Sequence, residues 1–234
     1  MLSIPQPLTS QGRPYPACRF YSPMKLKMWC AAISTTNQAI QVSQIQEKSE
    51  KGATTADDNA PDCTADAVSA LASAKKVVII PGYGMALAQA QFKVVELASL
   101  LEKRGADVKY AIHPVAGRMP GHMNVMLAEA EVDYDNLLEM DEVNPLFAET
   151  DVVMVFGACD VVNPAAIQSE GTPISGMPIL MAHEAKKIIA CNFDKKPGYS
   201  GVPNPLYDNS KTIMMLGDAK KSANDLISSL QSID

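Results

Sequence analysis

Val77-Val78-Ile79-Ile80-Pro81-Gly82-Tyr83-Gly84 is an apolar run of strand length closed by a proline and two glycines one residue apart, and a helical pattern from Leu87 to Arg104 follows it. Strand, tight glycine turn and helix in that order present main-chain N–H groups and the positive end of a helix dipole. Both favour a phosphate or pyrophosphate. The turn departs from G-x-G-x-x-G at its sixth place, which is Leu87, so taken alone it reads as a nucleotide site or as an ordinary turn. A second strand, Val108 to His113, runs directly into Pro114-Val115-Ala116-Gly117-Arg118-Met119-Pro120-Gly121-His122, another glycine-rich loop at a strand's C-terminal end.

Outward from this pair the same alternation continues. Ala90, Val94, Leu97, Ala98 and Leu101 make one apolar helix face, with Gly105 as its stop. Further strands are expected at Asn136–Glu139, Val152–Phe156, Lys187–Cys191 and Thr212–Leu216. Helical stretches are expected around Met123–Ala130, Glu142–Ala148, Pro164–Gln168 and Ala219–Leu230, and a short helix capped by Thr64 or Asp66 precedes the first strand. Strands that are apolar along their whole length and alternate with helices imply an α/β fold: a Rossmann-like, doubly wound parallel sheet of about six strands in a single domain. Right-handed crossovers place every strand's C-terminal loop on one edge. The polar and glycine-rich loops 82–85, 113–122, 140–142, 157–163 and 192–204 all fall there, whereas the opposite turns, Arg104–Asp107 and Glu149–Asp151, are short and plain.

Composition bounds the reading. The 234 residues, 47% of them hydrophobic, suffice for one good core, and the formal charge of −6 hides an asymmetry. Residues 1–46 carry Arg13, Arg19, Lys25 and Lys27 and no acid, which leaves −10 on residues 47–234. An acidic body argues against nucleic-acid binding. Cysteines at 18, 30, 63, 159 and 191 show no metal or redox spacing and read as free thiols. No apolar run approaches a membrane span. Residues 1–63 are expected to be a disordered extension and linker: the basic, proline-containing first 46 fit either an organellar presequence or a plain extension, and 47–63 are small and charged. The folded domain is expected over 64–234.

Pro81-Gly82-Tyr83-Gly84-Met85-Ala86, Ile112-His113-Pro114-Val115-Ala116-Gly117-Arg118 and Leu138-Glu139-Met140-Asp141-Glu142 resemble the NADP(H)-binding domain, domain III, of proton-translocating nicotinamide nucleotide transhydrogenase. Val162-Asn163-Pro164-Ala165-Ala166, Gly198-Tyr199-Ser200-Gly201-Val202 and Gly217-Asp218-Ala219-Lys220 agree, so the resemblance runs over about residues 64–234. It implies NADP(H) as cofactor and hydride exchange with NAD(H) on a partner domain I, as a component of a Re/Si-specific enzyme. A membrane domain II then couples the reaction to proton passage. The alternative is an NADP(H)-binding module that stores or senses nucleotide without turnover. By the same resemblance the chain is peripheral to a membrane through its partners, in an organelle of mitochondrial type or in the cytoplasm.

The expected cofactor contacts are Gly82, Tyr83, Gly84, Met85 and Ala86; Val115, Ala116, Gly117, Arg118, Met119 and Pro120; Gly157, Ala158, Cys159 and Asp160; Lys195, Lys196, Gly198, Tyr199 and Ser200; and Gly217, Asp218 and Ala219. Arg118 reads either as a solvated loop charge or, as the resemblance implies, as an anion ligand, and Tyr199 either as an ordinary loop aromatic or, by the same resemblance, as the tip of a lid. The NAD-selecting acid expected at the end of a second strand is absent, because Asp107 starts that strand. Where family members carry Lys-Arg-Ser, this chain reads Asn192-Phe193-Asp194-Lys195-Lys196, so Lys195 and Lys196 stand in as point charges for the 2′-phosphate. Asp141 reads as an N-cap for a helix starting at Glu142 and equally, as the resemblance implies, as a carboxylate whose protonation couples to nucleotide release, two roles that can coexist. His113 and His122 read as satisfied loop histidines, and no metal is expected.

Overall fold

The computed structural model describes residues 63–233. The expectations for residues 1–62 fall outside that range. Six strands form one parallel sheet: β1 (Lys76–Pro81), β2 (Asp107–Ile112), β3 (Leu137–Glu139), β4 (Val152–Phe156), β5 (Lys187–Asn192) and β6 (Thr212–Leu216). Their order is β3-β2-β1-β4-β5-β6, that of a doubly wound sheet. The strand order reverses between β1 and β4, so the loops leaving these two neighbours diverge to opposite faces and open a crevice at the C-terminal edge.

The central strands are apolar at every position because both faces are covered. Val77, Ile79, Met154 and Phe156 point to a core shared with α1 (Cys63–Ser73), α3 (Gln91–Lys103) and α7 (Ala219–Gln231). Val78, Ile80, Val153 and Val155 point to the other, with Phe147, Leu180 and Tyr207. The helix expected over Leu87–Arg104 begins later, as α3, and the turn before it forms a short helix of its own, α2 (Tyr83–Leu87), with residues 88–90 between the two. Gln89 adopts φ 49°, its N–H bonds to Ala86 O, and Ala90 N–H bonds to Met85 O at 3.0 Å. This is a Schellman stop with a left-handed residue just past the helix end. It ends α2 so that Met85 and Ala90 are both fully buried. The same bond pattern ends α3 at Gly105, as expected, and α4 (His122–Glu129) at Glu131.

The stretch Glu142–Ala148 is likewise subdivided, into a single helical turn, α5 (Met140–Val143), and a 3-10 segment, Asn144–Glu149, which carries Pro145 in its first turn. A further short helix, α6 (Ala165–Gln168), follows β4. The opposite sheet edge is short-turned but not plain. Asp151 accepts from the amides of Lys75 (2.9 Å) and Lys76 (3.1 Å) and from Lys186 Nζ (2.8 Å), stitching together the starts of β1, β4 and β5. The Lys186 ammonium and those amides pull the Asp151 carboxyl down to about 2. No helix among the described residues is long and apolar enough to cross a membrane.

Candidate nucleotide site

The turn after β1 packs on the turn after β4. Gly82 N–H donates to Phe156 O at 2.8 Å and Gly84 N–H to Gly157 O at 3.0 Å. Two amides expected to be bare for a phosphate are therefore engaged, and the glycines serve first to let two backbones touch. The Tyr83 N–H between them has no partner among the described residues. A helix of five residues adds little dipole of its own.

The turn after β2 meets the same place from the other side. The Arg118 guanidinium stands 4.4 Å from the centroid of the Tyr83 ring, a cation–π stack that joins the β1 and β2 loops. Arg118 itself is exposed, so its donors remain open to an anion. His113, buried at the end of β2, fixes the base of this loop: its Nε2 lies 2.8 Å from Pro178 O and its Nδ1 accepts from Val115 N–H at 3.2 Å. Those partners assign the neutral Nε2–H tautomer. Burial lowers the imidazole's pKa, and the Pro178 bond only partly opposes it. The reading of His113 as a satisfied loop histidine agrees with these contacts.

Beyond β4 the loop is held by side chains that sequence reasoning passed over as ligands. Asn192 Nδ2 donates to Ala158 O (3.2 Å) and Tyr207 Oη (2.6 Å), Tyr207 donates to Ala158 O (3.0 Å), and Asn204 Nδ2 donates to Cys159 O (3.0 Å). Asn163 Nδ2 donates to Pro203 O at 3.2 Å, tying the loop to the segment that follows residues 198–202. The signal for Asn163 and Asn204 was present as Asn-Pro dipeptides, each making an Asx turn onto Ala165 N–H and Leu206 N–H at 3.0 Å. Asn192 and Tyr207 leave no such signal, since their bond spans 15 residues. Burial raises the Cys159 thiol, and Cys191, buried in the core on the other face of the sheet, is pushed up to about 12, so neither is a thiolate nucleophile.

Asp160 is an anchor. Its carboxylate accepts from Ser200 Oγ (2.7 Å) and Ser200 N–H (3.0 Å), and Gly198 lies against it. The 198–202 loop is thus strapped at its root while Tyr199 is fully exposed. Gly217 N–H donates to Asn192 O at 2.9 Å, and Asp218 caps α7 by accepting from Lys220 and Lys221 N–H.

Three expected residues stand apart from this cluster. Asp141 is not an N-cap: Glu139 fills that role in a capping box with Glu142, and Asp141 is an exposed second residue of the turn, beside the edge strand β3. The crevice expected to shield it is not supplied by these residues. Lys196 pairs with Asp194 at 3.2 Å. Lys195 lines an open cavity of about 850 Å³ between α1 and β6, together with Ser73, Lys187 and Thr212, on the flank away from β2.

The remaining edge fits a dinucleotide. Arg118 and the Tyr83 amide offer donors to a diphosphate, and exposed Val115, Met119 and Tyr199 offer apolar surface for rings. At the end of β5 Asn192 Oδ1 is a buried acceptor with no protein partner among the described residues.

Comparison with known proteins bears on this edge. Two curated proteins from Rhodospirillum rubrum, each called NAD(P) transhydrogenase subunit beta, are 49% identical over 165 residues, covering 70% of this chain. The chain spans 36% of the length of these relatives. Among solved structures, an exopolyphosphatase-related protein from Bacteroides fragilis gives a TM-score of 0.44 at 16% identity over 75% of this chain and 46% of its own. A protein from Mycobacterium smegmatis described as a thiamin diphosphate-dependent enzyme gives 0.41 at 20% identity over 73% and 28%. Likenesses that distant carry no functional argument. A family model described as NAD(P) transhydrogenase beta subunit matches residues 25–229, and with the close relatives above it places the chain in the NAD(P) transhydrogenase beta subunit family.

Proposed function

We propose that this chain binds NADP(H) along the C-terminal edge of its sheet and exchanges hydride with NAD(H) held by a partner domain, as part of a Re/Si-specific, proton-translocating transhydrogenase. The observation that carries the reading is the Arg118–Tyr83 stack, which brings the cation of the β2 loop onto the ring of the β1 turn, next to the switch in strand order. A bound nicotinamide dinucleotide supplies the hydride chemistry itself; the protein's part is proximity and orientation. Arg118 and Tyr83 hold the diphosphate, Val115, Met119 and the Tyr199 lid cover the rings, and Lys195 and Lys196 meet the 2′-phosphate once Lys196 leaves Asp194 and Lys195 turns out of the α1–β6 cavity. The exposed apolar rim suits the docking of a domain I that brings the second nucleotide, and a membrane domain II provides the proton path. Asp141 acts as the coupling switch when a docked partner removes it from water, since a shielded carboxyl holds its proton more readily.

Titration calorimetry with NADPH, NADP+, NADH and NAD+ tests the binding claim, and equal affinities for all four would refute NADP(H) selectivity. Mixing the chain with an NAD(H)-binding domain I protein and following reduction of an NAD+ analogue by NADPH tests turnover. Tight NADPH binding without transfer would reduce the reading to a binding module.

A further inference from the structure

We infer that His122 is the positioning residue that aims Arg118, through an acceptor nitrogen rather than a charge, an inference that rests on the reading of Arg118 as diphosphate ligand. His122 is the first residue of α4, whose N-cap, Gly121, has no side chain to offer the helix start. Its half-buried imidazole turns back over the loop instead, and Nδ1 accepts from the Arg118 N–H at 3.1 Å. Gly117 lies at φ 95°, with its Cα so close to the ring that a Cβ there would run into Nδ1 and Cβ of His122. The loop is thus wrapped on the imidazole: Gly117 allows the contact, His122 fixes the direction of the next amide, and the Arg118 side chain then reaches the Tyr83 ring 4.4 Å away.

Only an unprotonated Nδ1 can receive that amide, so the geometry requires the Nε2–H tautomer. The requirement separates His122 from a space-filler. Leucine fills similar volume without an acceptor, whereas the Oδ1 of asparagine occupies nearly the place of Nδ1. A floppy Arg118 costs affinity because its fork must be reordered on each binding event.

The test uses the full chain with NADPH as probe at pH 8. H122L is expected to weaken NADPH binding about 10-fold with an unchanged ligand-free melting temperature, and H122N to recover to within about 3-fold of wild type, the loss corresponding to one charge-assisted contact. Adding R118A to H122L is expected to cost no more than R118A alone, because the two side chains act in series. Wild-type affinity in H122L, or additive losses in the double variant, would overturn the inference while leaving Arg118 a ligand. Failure of R118A to weaken binding would instead remove the reading beneath it. If H122L does not fold, the ¹⁵N signals of the wild-type imidazole decide: an unprotonated Nδ1 is expected, and a protonated Nδ1 ends the proposal.

Discussion

The backbone of Gly157 lies against that of Gly84 so closely that a Cβ on either would enter the other's main chain. Gly157 also sits at φ 65°, which a residue with a Cβ adopts only with strain. Two strands adjacent in the sheet but distant in sequence are thereby zipped past their ends, and the crevice takes its shape from the seam. G157A is expected to destabilise the fold by at least about 1 to 3 kcal/mol, read as a lowered denaturant midpoint at constant slope. An unchanged midpoint would mean that the two turns can part freely.

Arg118 contributes charge, planarity and a fork of donors. R118A is expected to weaken NADPH binding roughly 10- to 100-fold, as loss of charge-assisted bonds to phosphate predicts. R118K should fall between, keeping the charge while losing the bidentate fork and the flat face that stacks on Tyr83. If lysine binds as well as arginine, the stack has no part in recognition.

His113 makes stability depend on pH. Its folded pKa lies below the ordinary value of 6.5, because burial disfavours the imidazolium. The unfolded chain therefore takes up the proton first as pH falls, and the stabilisation present above about 6.5 is lost below it. H113Q, which keeps a donor toward Pro178 O, should be less stable at pH 8 yet flatter between pH 7 and 5. Melting temperatures across that range in the two proteins measure the difference, and parallel curves would exclude His113 as the source.

The sheet was legible in the residues because a strand buried on both faces must be apolar throughout, as Val152–Phe156 is, and the edge carrying the loops followed from handedness alone. Helix stops were legible only where glycine announces them. Gly105 does so, whereas Gln89 and Glu131 adopt the same left-handed stop with side chains that give no warning. Tyr83 and Arg118 were singled out correctly as neighbours in space because both follow adjacent strands. Asp141 was misplaced as a cap because an aspartate before a helical run is the commoner cap, and Glu139 took the position through its reciprocal bond with Glu142. The Asn192–Tyr207–Ala158 knot had no local pattern to read, since its members meet only after β4 and β5 pair.

Asp160 holds the 198–202 loop at its root through both the hydroxyl and the amide of Ser200. D160A is expected to free residues 198–202, raising their amide exchange about 10- to 100-fold, the equivalent of roughly 1.5 to 3 kcal/mol for bonds to a charged group. Exchange elsewhere, in β1 and β4 for example, should not change. S200A removes one of the two bonds and should give a smaller effect in the same segment. Equal protection in D160A would show that the loop is held without Asp160, by the Asn163 and Asn204 bonds and those within the loop.

Asp194 competes for the cation proposed to meet the 2′-phosphate. It holds Lys196 Nζ at 3.2 Å and accepts the Lys196 amide at 3.1 Å, so an approaching phosphate must displace a carboxylate and face its charge. D194N keeps the amide bond through its Oδ1 and removes the charge. NADP+ affinity should then rise about 3- to 10-fold at low salt, within what an exposed ion pair can contribute, and the gain should shrink as salt is added. NAD+ lacks the phosphate, so its affinity is the internal control and should stay constant. A gain shared by both nucleotides would place the loop elsewhere than at the 2′ position, and a loss for NADP+ would mean that the Asp194–Lys196 pair organises the phosphate site instead of obstructing it.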